Sequence, residues 1–152
     1  MELLTADEIR RALKAVADVL ARDDRSATLV LIGGGALALG FQARASTRDV
    51  DVLVQSGDAE AVFAASAEVA KRLGLKADWL NDRAKGFGIL ADPGRPVFDA
   101  PGLKVFCGDT VHLLAMKVAA WRDDLDIADA LILLKDLLKK IMGLQAVHSS
   151  GT

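Results

Sequence analysis

The run Thr28-Leu-Val-Leu-Ile stops at Gly33-Gly34-Gly35, and only the apolar stretch Ala36 to Phe41 separates those glycines from a polar connection. A β-branched and apolar run of that length predicts a buried strand. Glycine is where the backbone can turn sharply or lie close against a ligand. Ala36 to Phe41 has room for a short helix and no more. Arg44 to Arg48 is the polar connection, and Asp49-Val-Asp-Val-Leu-Val predicts a second strand.

Around this centre the remaining segments give the order α-β-α-β-α-β-β-α-α. Thr5-Ala-Asp-Glu is close to a capping box, and Ile9, Leu13, Val16 and Leu20 recur at helical spacing, which predicts an amphipathic helix over 6–22. Asp58 caps a helix over 59–73 that Gly74 ends. Residues 75–102 hold all three prolines and are the least regular stretch, with a candidate strand at Phe87 to Leu90. Leu103 to Cys107 predicts another strand. Asp109 opens a helix through Trp121, and Asp124 begins a last one reaching about Met142. The expected class is α/β (α+β): a small mixed sheet flanked by helices, with two further helices at the C-terminal end. The 152 residues suit a single domain, expected over 1–147 with a disordered tail at 148–152.

Charge narrows the partners. With 19 basic and 21 acidic side chains the net charge is -2, so no bulk attraction to nucleic acid or anionic lipid is expected. Arg44, Arg48, Arg83, Lys85 and Arg95 remain candidates for a local basic strip. The single cysteine, Cys107, excludes an intramolecular disulfide and suits a reducing cytoplasm. No signal peptide stands out at the N-terminus, and no apolar run approaches the roughly 20 residues of a membrane helix. The expectation is a cytoplasmic protein with no membrane partner.

Asp49 and Asp51 stand at i and i+2 of the second strand, so their side chains share a face, with Cα atoms about 7 Å apart by strand rise. Two such carboxylates raise each other's pKa unless a cation lies between them. Hard divalent ions prefer carboxylate oxygens and can clamp the attacking and leaving oxygens of a phosphoryl transfer. An isolated Asp-x-Asp is more often an ordinary solvent-facing strand. The glycines shift that balance, because their N–H groups, at the start of a helix, can approach a triphosphate closely. Anion cradle and acid pair form one device for a nucleoside triphosphate with Mg2+ (or Mn2+).

The same glycines also fit the dinucleotide pattern G-x-G-x-x-A. Two features argue against it. Ala36 to Phe41 is too short for a βαβ crossover helix, and the acids stand at the start of the second strand rather than its end.

Ile32-Gly-Gly-Gly-Ala followed by Arg44-Ala-Ser-Thr-Arg-Asp-Val-Asp-Val resembles the glycine and D-x-D signature of the DNA polymerase β-like nucleotidyltransferase superfamily. The segment Leu113-Leu-Ala-Met-Lys-Val-Ala-Ala-Trp-Arg-Asp-Asp-Leu-Asp-Ile-Ala-Asp-Ala is similar to the helical segment that follows the core in small bacterial nucleotidyltransferases related to toxins of AbiEii type. The two motifs cover about 45 residues. The resemblance implies a minimal nucleotidyltransferase fold and transfer of a nucleotidyl group from an NTP to an acceptor hydroxyl on RNA, protein or a small molecule. It implies Gly33, Gly34 and Gly35, with Arg48, around the triphosphate, and Asp49 and Asp51 on the metals. Lys117 matches the helix lysine that reaches a phosphate, and Arg122 and Asp126 match the positions after it. On chemistry alone, Lys117 reads equally as a snorkelling surface lysine.

Active relatives add a third carboxylate from a neighbouring strand, and Phe87 to Leu90 has none. Asp99 is the best substitute in the sequence, ahead of Asp92 and Asp82. The alternative to an enzyme is therefore a non-catalytic module that binds nucleotide or protein, as one half of a toxin–antitoxin pair. The apolar run Ala130-Leu-Ile-Leu-Leu-Lys-Asp-Leu-Leu exceeds what a lone surface helix needs and points to a homodimer or an antitoxin partner. Trp79 and Trp121 read first as interior residues and second as base-stacking ones, and Cys107 as inert core. Asp123, Asp124, Asp126 and Asp129 read as helix-start charges.

Overall fold

The computed structural model describes residues 3–42, 46–83, 92–119 and 124–150. They group into two compact units, Met1–Asp109 and Thr110–Thr152. The fold is mixed α/β: among the described residues, five helices accompany a five-stranded mixed sheet and a small antiparallel pair of strands.

The first unit runs β1 (Leu4–Thr5), α1 (Ala6–Arg22), β2 (Ala27–Ile32), α2 (Gly33–Gly40), β3 (Ser46–Thr47), β4 (Val50–Gly57), α3 (Ala59–Leu73), β5 (Leu80–Asn81), β6 (Pro93–Ala100) and β7 (Leu103–Gly108). The larger sheet has the order β5-β4-β2-β7-β6. The apolar run of β2 becomes its central strand, antiparallel to β4 and parallel to β7. A central strand has both faces covered, and all of β2 except half-buried Thr28 is buried. β5 pairs parallel with β4 at one edge, and β6 pairs antiparallel with β7 at the other.

Local chemistry sets the helix limits. Thr5 Oγ1 accepts the Glu8 N–H at 3.2 Å and Glu8 Oε1 accepts the Thr5 N–H at 3.2 Å, a complete capping box. Behind it Ile9, Leu13, Val16 and Leu20 are buried, and α1 packs on α3. Asp58 Oδ1 accepts the Ala61 N–H at 3.2 Å to cap α3, and Gly74 ends that helix at φ 71°.

Three features differ from the sequence expectation. The glycines form the first turn of α2 itself rather than a turn ahead of it. Proline-bearing β6 is an ordered strand. It lies at the sheet edge, where a missing N–H costs no ladder bond, and its register breaks at Pro93, Pro96 and Phe98. The two-residue strands β1, β3 and β5 carry no pattern long enough to read. The candidate strand Phe87 to Leu90 lies outside the described residues.

The second unit holds α4 (Thr110–Ala119) and α5 (Asp124–Ser150), which pack on each other. α5 runs on past Met142, where the sequence pattern stops. Its Leu133 is buried, and Ile127, Leu131, Leu134, Leu138 and Ile141 are exposed. No helix among the described residues is long and apolar enough to cross a membrane.

Candidate active site

Antiparallel pairing of β2 with β4 places Ile32, the last residue of β2, opposite Asp51. The next residue, Gly33, opens α2, so the register alone brings the helix N-terminus beside the Asp51 carboxylate. The fit is close: a Cβ on Gly33 would sit 3.1 Å from Asp51 Oδ2. Gly33 has φ +63°, a left-handed value that glycine adopts at no steric cost. No side chain caps α2, so its first N–H groups are not consumed by a cap, and the end of the helix carries partial positive charge. Gly33 and Gly34 are half-buried. Gly35 is buried and turned toward the Val50 side chain.

Asp49 lies one residue ahead of β4, in the connection from β3. Its carbonyl accepts the Thr47 hydroxyl at 3.1 Å, and Thr47 is held by strand pairing with Leu4. Asp49 is close enough to Asp51 for their charges to repel. Parallel pairing with β5 then brings Asn81 level with Asp51. The Asn81 side chain lies near enough to the Asp51 carboxylate to favour its charged form, and its Oδ1 accepts the Arg83 N–H at 3.2 Å. The Asn81 NH2 group donates to the Asp78 carbonyl at 3.5 Å. Burial pushes the Asp51 carboxyl above the ordinary aspartate range, and Asp49 adds to the rise, while Asn81 and Arg83 oppose it.

Two cations complete the cluster. Lys76 Nζ stands 3.1 Å from Asp49 Oδ1, and an Arg83 guanidinium nitrogen 3.5 Å from Asp49 Oδ2. Asp78 holds the same Arg83 at 2.8 Å and Lys76 at 3.9 Å, and the Arg83 bond keeps the Asp78 carboxyl below its ordinary range.

The other expected residues are distributed differently. Arg48 is exposed beside Asp49. Asp99 does not complete the acid pair, and this corrects its assignment as third carboxylate. It sits on β6, three strands from β4, and lines a cavity with Ser26, Gly57 and Lys104 at the far end of β4. Asp51 to Gly57 spans about 20 Å at the usual strand rise. Asp92 is exposed beyond β7, and Asp82 is half-buried directly after Asn81. Among the described residues no three acids, histidines or cysteines converge on one ion position.

Lys117 belongs to the second unit and is not a snorkelling surface residue. Its Nζ lies 2.8 Å from Asp129 Oδ2, with side chains only 15% and 2% exposed. Asp129 is therefore a buried partner rather than a solvated helix-start charge. Arg122, Trp121, Arg44 and Lys85 lie outside the described residues, and the side chain of Asp126 is not among those described. Trp79 is core: it is buried and its Nε1 donates to the Ser66 carbonyl at 3.0 Å. Arg95 stacks over the Phe41 ring at 5.0 Å from its centroid. Cys107 is buried.

Sequence reasoning did not find Lys76, Asp78 and Asn81, and it named Arg83 only as part of a basic strip. The one local signal was the Lys76-Ala-Asp-Trp-Leu-Asn-Asp-Arg segment, whose two bases and two acids fall just after a helix-ending glycine. Comparison of the chain with protein-family models, with curated proteins and with solved structures finds no match.

Proposed function

We propose that the chain is a metal-dependent nucleotidyltransferase of the DNA polymerase β-like kind, moving a nucleotidyl group from an NTP to an acceptor hydroxyl on RNA, protein or a small molecule. The observation that carries this reading is the contact of Gly33 with Asp51. A helix N-terminus able to receive phosphate and an acid pair able to hold a divalent ion meet at one point of the sheet.

The donor set fits Mg2+ or Mn2+. Asp49 and Asp51 offer hard oxygens, and Mg2+ is commonly held by one or two carboxylates together with substrate phosphates. Burial raises the Asp51 carboxyl and Asp49 adds to the rise, so a cation held there would favour its charged form. When bound, the ion supplies charge neutralisation at the phosphates and polarises the reacting oxygens. The protein's part is to hold and orient. Asp49 and Asp51 carry the metal, and the N–H groups at Gly33 and Gly34 receive phosphate oxygens. The acceptor oxygen attacks the α-phosphorus in line, the bond to the β-bridging oxygen breaks, and pyrophosphate leaves. The hydroxyl proton passes to the carboxylate pair.

A second reading is favoured by one observation. Asn81, and not an acid, stands level with Asp51 on the neighbouring strand. A non-catalytic nucleotide-binding module, in a toxin–antitoxin or similar pair, needs no third carboxylate. The exposed Leu131, Leu134 and Leu138 of α5 suit a helical partner, either an antitoxin or a second copy.

Incubation with labelled NTPs, Mg2+ and total RNA or protein separates the two readings. The enzyme labels an acceptor, and Asp49→Ala with Asp51→Ala abolishes the label. Binding without transfer for all four NTPs leaves the module.

A further inference from the structure

We propose that Lys76 and Arg83 are nucleotide-binding residues: they neutralise Asp49 in the metal-free protein, and yield it to a divalent cation in order to contact the triphosphate. The inference rests on the nucleotidyltransferase reading of Asp49 and Asp51 and assigns the phosphate contacts of that site.

The geometry is specific. Each oxygen of the Asp49 carboxylate faces a different cation, Lys76 at 3.1 Å and Arg83 at 3.5 Å. Asp49 is 28% exposed, whereas Lys76 and Arg83 are 46% and 58% exposed. The acid is set into the site while both cations reach it from solvent. Ion pairs this exposed stabilise a fold by about 0–1 kcal/mol, so folding alone gives little reason to gather them. Asp78 has the second contact to each cation, at 2.8 Å to Arg83 and 3.9 Å to Lys76. When Asp49 is taken by a metal, Asp78 still tethers both beside it.

Arg83 is further fixed at its backbone. Its N–H donates to Asn81 Oδ1 at 3.2 Å, and strand pairing sets Asn81 level with Asp51, so the root of the arginine is fixed beside the acid pair while its guanidinium is exposed. A guanidinium on such a root can exchange a carboxylate for a phosphate, since its planar fork can bind two oxygens of either. Charge obeys the same logic. Asp49, Asp51 and Asp78 outnumber Lys76 and Arg83 by one, and a bound divalent cation turns that local excess from negative to positive. The cluster then attracts a triphosphate only once metal has arrived.

The test measures two affinities with opposite expected signs. Mn2+ alone is titrated by electron paramagnetic resonance, and each NTP is titrated with saturating Mg2+ by calorimetry. Wild type is compared with Lys76→Gln, Arg83→Gln and the control Arg25→Gln, whose pairing with Asp58 lies elsewhere. Lys76→Gln and Arg83→Gln each bind Mn2+ roughly 2–10-fold tighter and the best-bound NTP roughly tenfold weaker, while the control changes neither. Arg83→Lys recovers part of the NTP affinity. Thermal melting reports whether each variant is folded. If the two affinities move in the same direction, or neither moves, the proposal is overturned while the metal site stands. If wild type binds no Mn2+, or binds it unchanged in Asp49→Ala with Asp51→Ala, the parent reading falls and takes this one with it.

Discussion

Gly33 enters α2 at φ +63°, and a methyl group added there would press on the Asp51 carboxylate. Gly33→Ala should therefore cost about 1–2 kcal/mol in urea unfolding and weaken Mn2+ binding. Gly35→Ala meets Val50 alone, its side chain at 3.4 Å and its Cα at 3.7 Å, and gains helix propensity. It should be neutral or stabilising by up to about 1 kcal/mol. Equal losses at both positions would mean that the glycines serve packing alone. Asp51 gives a pH-dependent outcome. Its carboxyl is raised in the folded protein, chiefly by burial, so the folded state holds its proton to higher pH than the unfolded chain does. Stability contributed by that proton is full below the ordinary aspartate value and is lost as pH rises through the raised one. Asp51→Asn, which cannot ionise, should melt higher than wild type at pH 7, with the gap closing toward pH 3. A lower melting temperature at pH 7 would contradict this. Asp49, Asp51 and the glycines were legible in the sequence because their chemistry is local. Asn81 and Arg83 were not, since they reach Asp51 through a parallel pairing of two residues that no periodicity marks.

The helices show the same division. α1 and α3 match their sequence-read limits because the Thr5 capping box, the Asp58 cap and Gly74 state those limits residue by residue. β6 was hidden because its prolines read as a breaker, and only its place at the edge makes them harmless. Between α4 and α5 the Lys117–Asp129 pair is nearly enclosed. Lys117→Met removes a cation partner from a buried carboxylate and should cost about 3–5 kcal/mol, whereas Lys117→Met with Asp129→Leu should recover most of it. Urea unfolding of the single and double variants checks this. A cost below about 1 kcal/mol for Lys117→Met would mean that the pair behaves as an exposed one.

For the whole molecule, α1, β2, α2, β4, α3, β7, α4 and α5 follow the order read from the sequence and β6 stands where no strand was read, but neighbourhood in the sheet is set by strand pairing. That is why Asp99 looked available in the sequence and is not: β6 lies at the far edge, and its acid is level with the other end of β4. The same pairing puts Gly33, Asp51, Asn81 and the Lys76–Arg83 pair at a single end of the sheet, where the proposed chemistry resides. Transfer of a nucleotidyl group leaves the α-phosphorus on the acceptor, so the position of the label decides it. NTPs carrying phosphorus label at the α or the γ position are incubated with the protein, Mg2+ and total RNA or protein. Acceptor labelling is expected from the α-labelled NTP alone, lost in Asp49→Ala with Asp51→Ala; labelling from the γ position, or α-labelling that survives those substitutions, would rule out nucleotidyl transfer at this site.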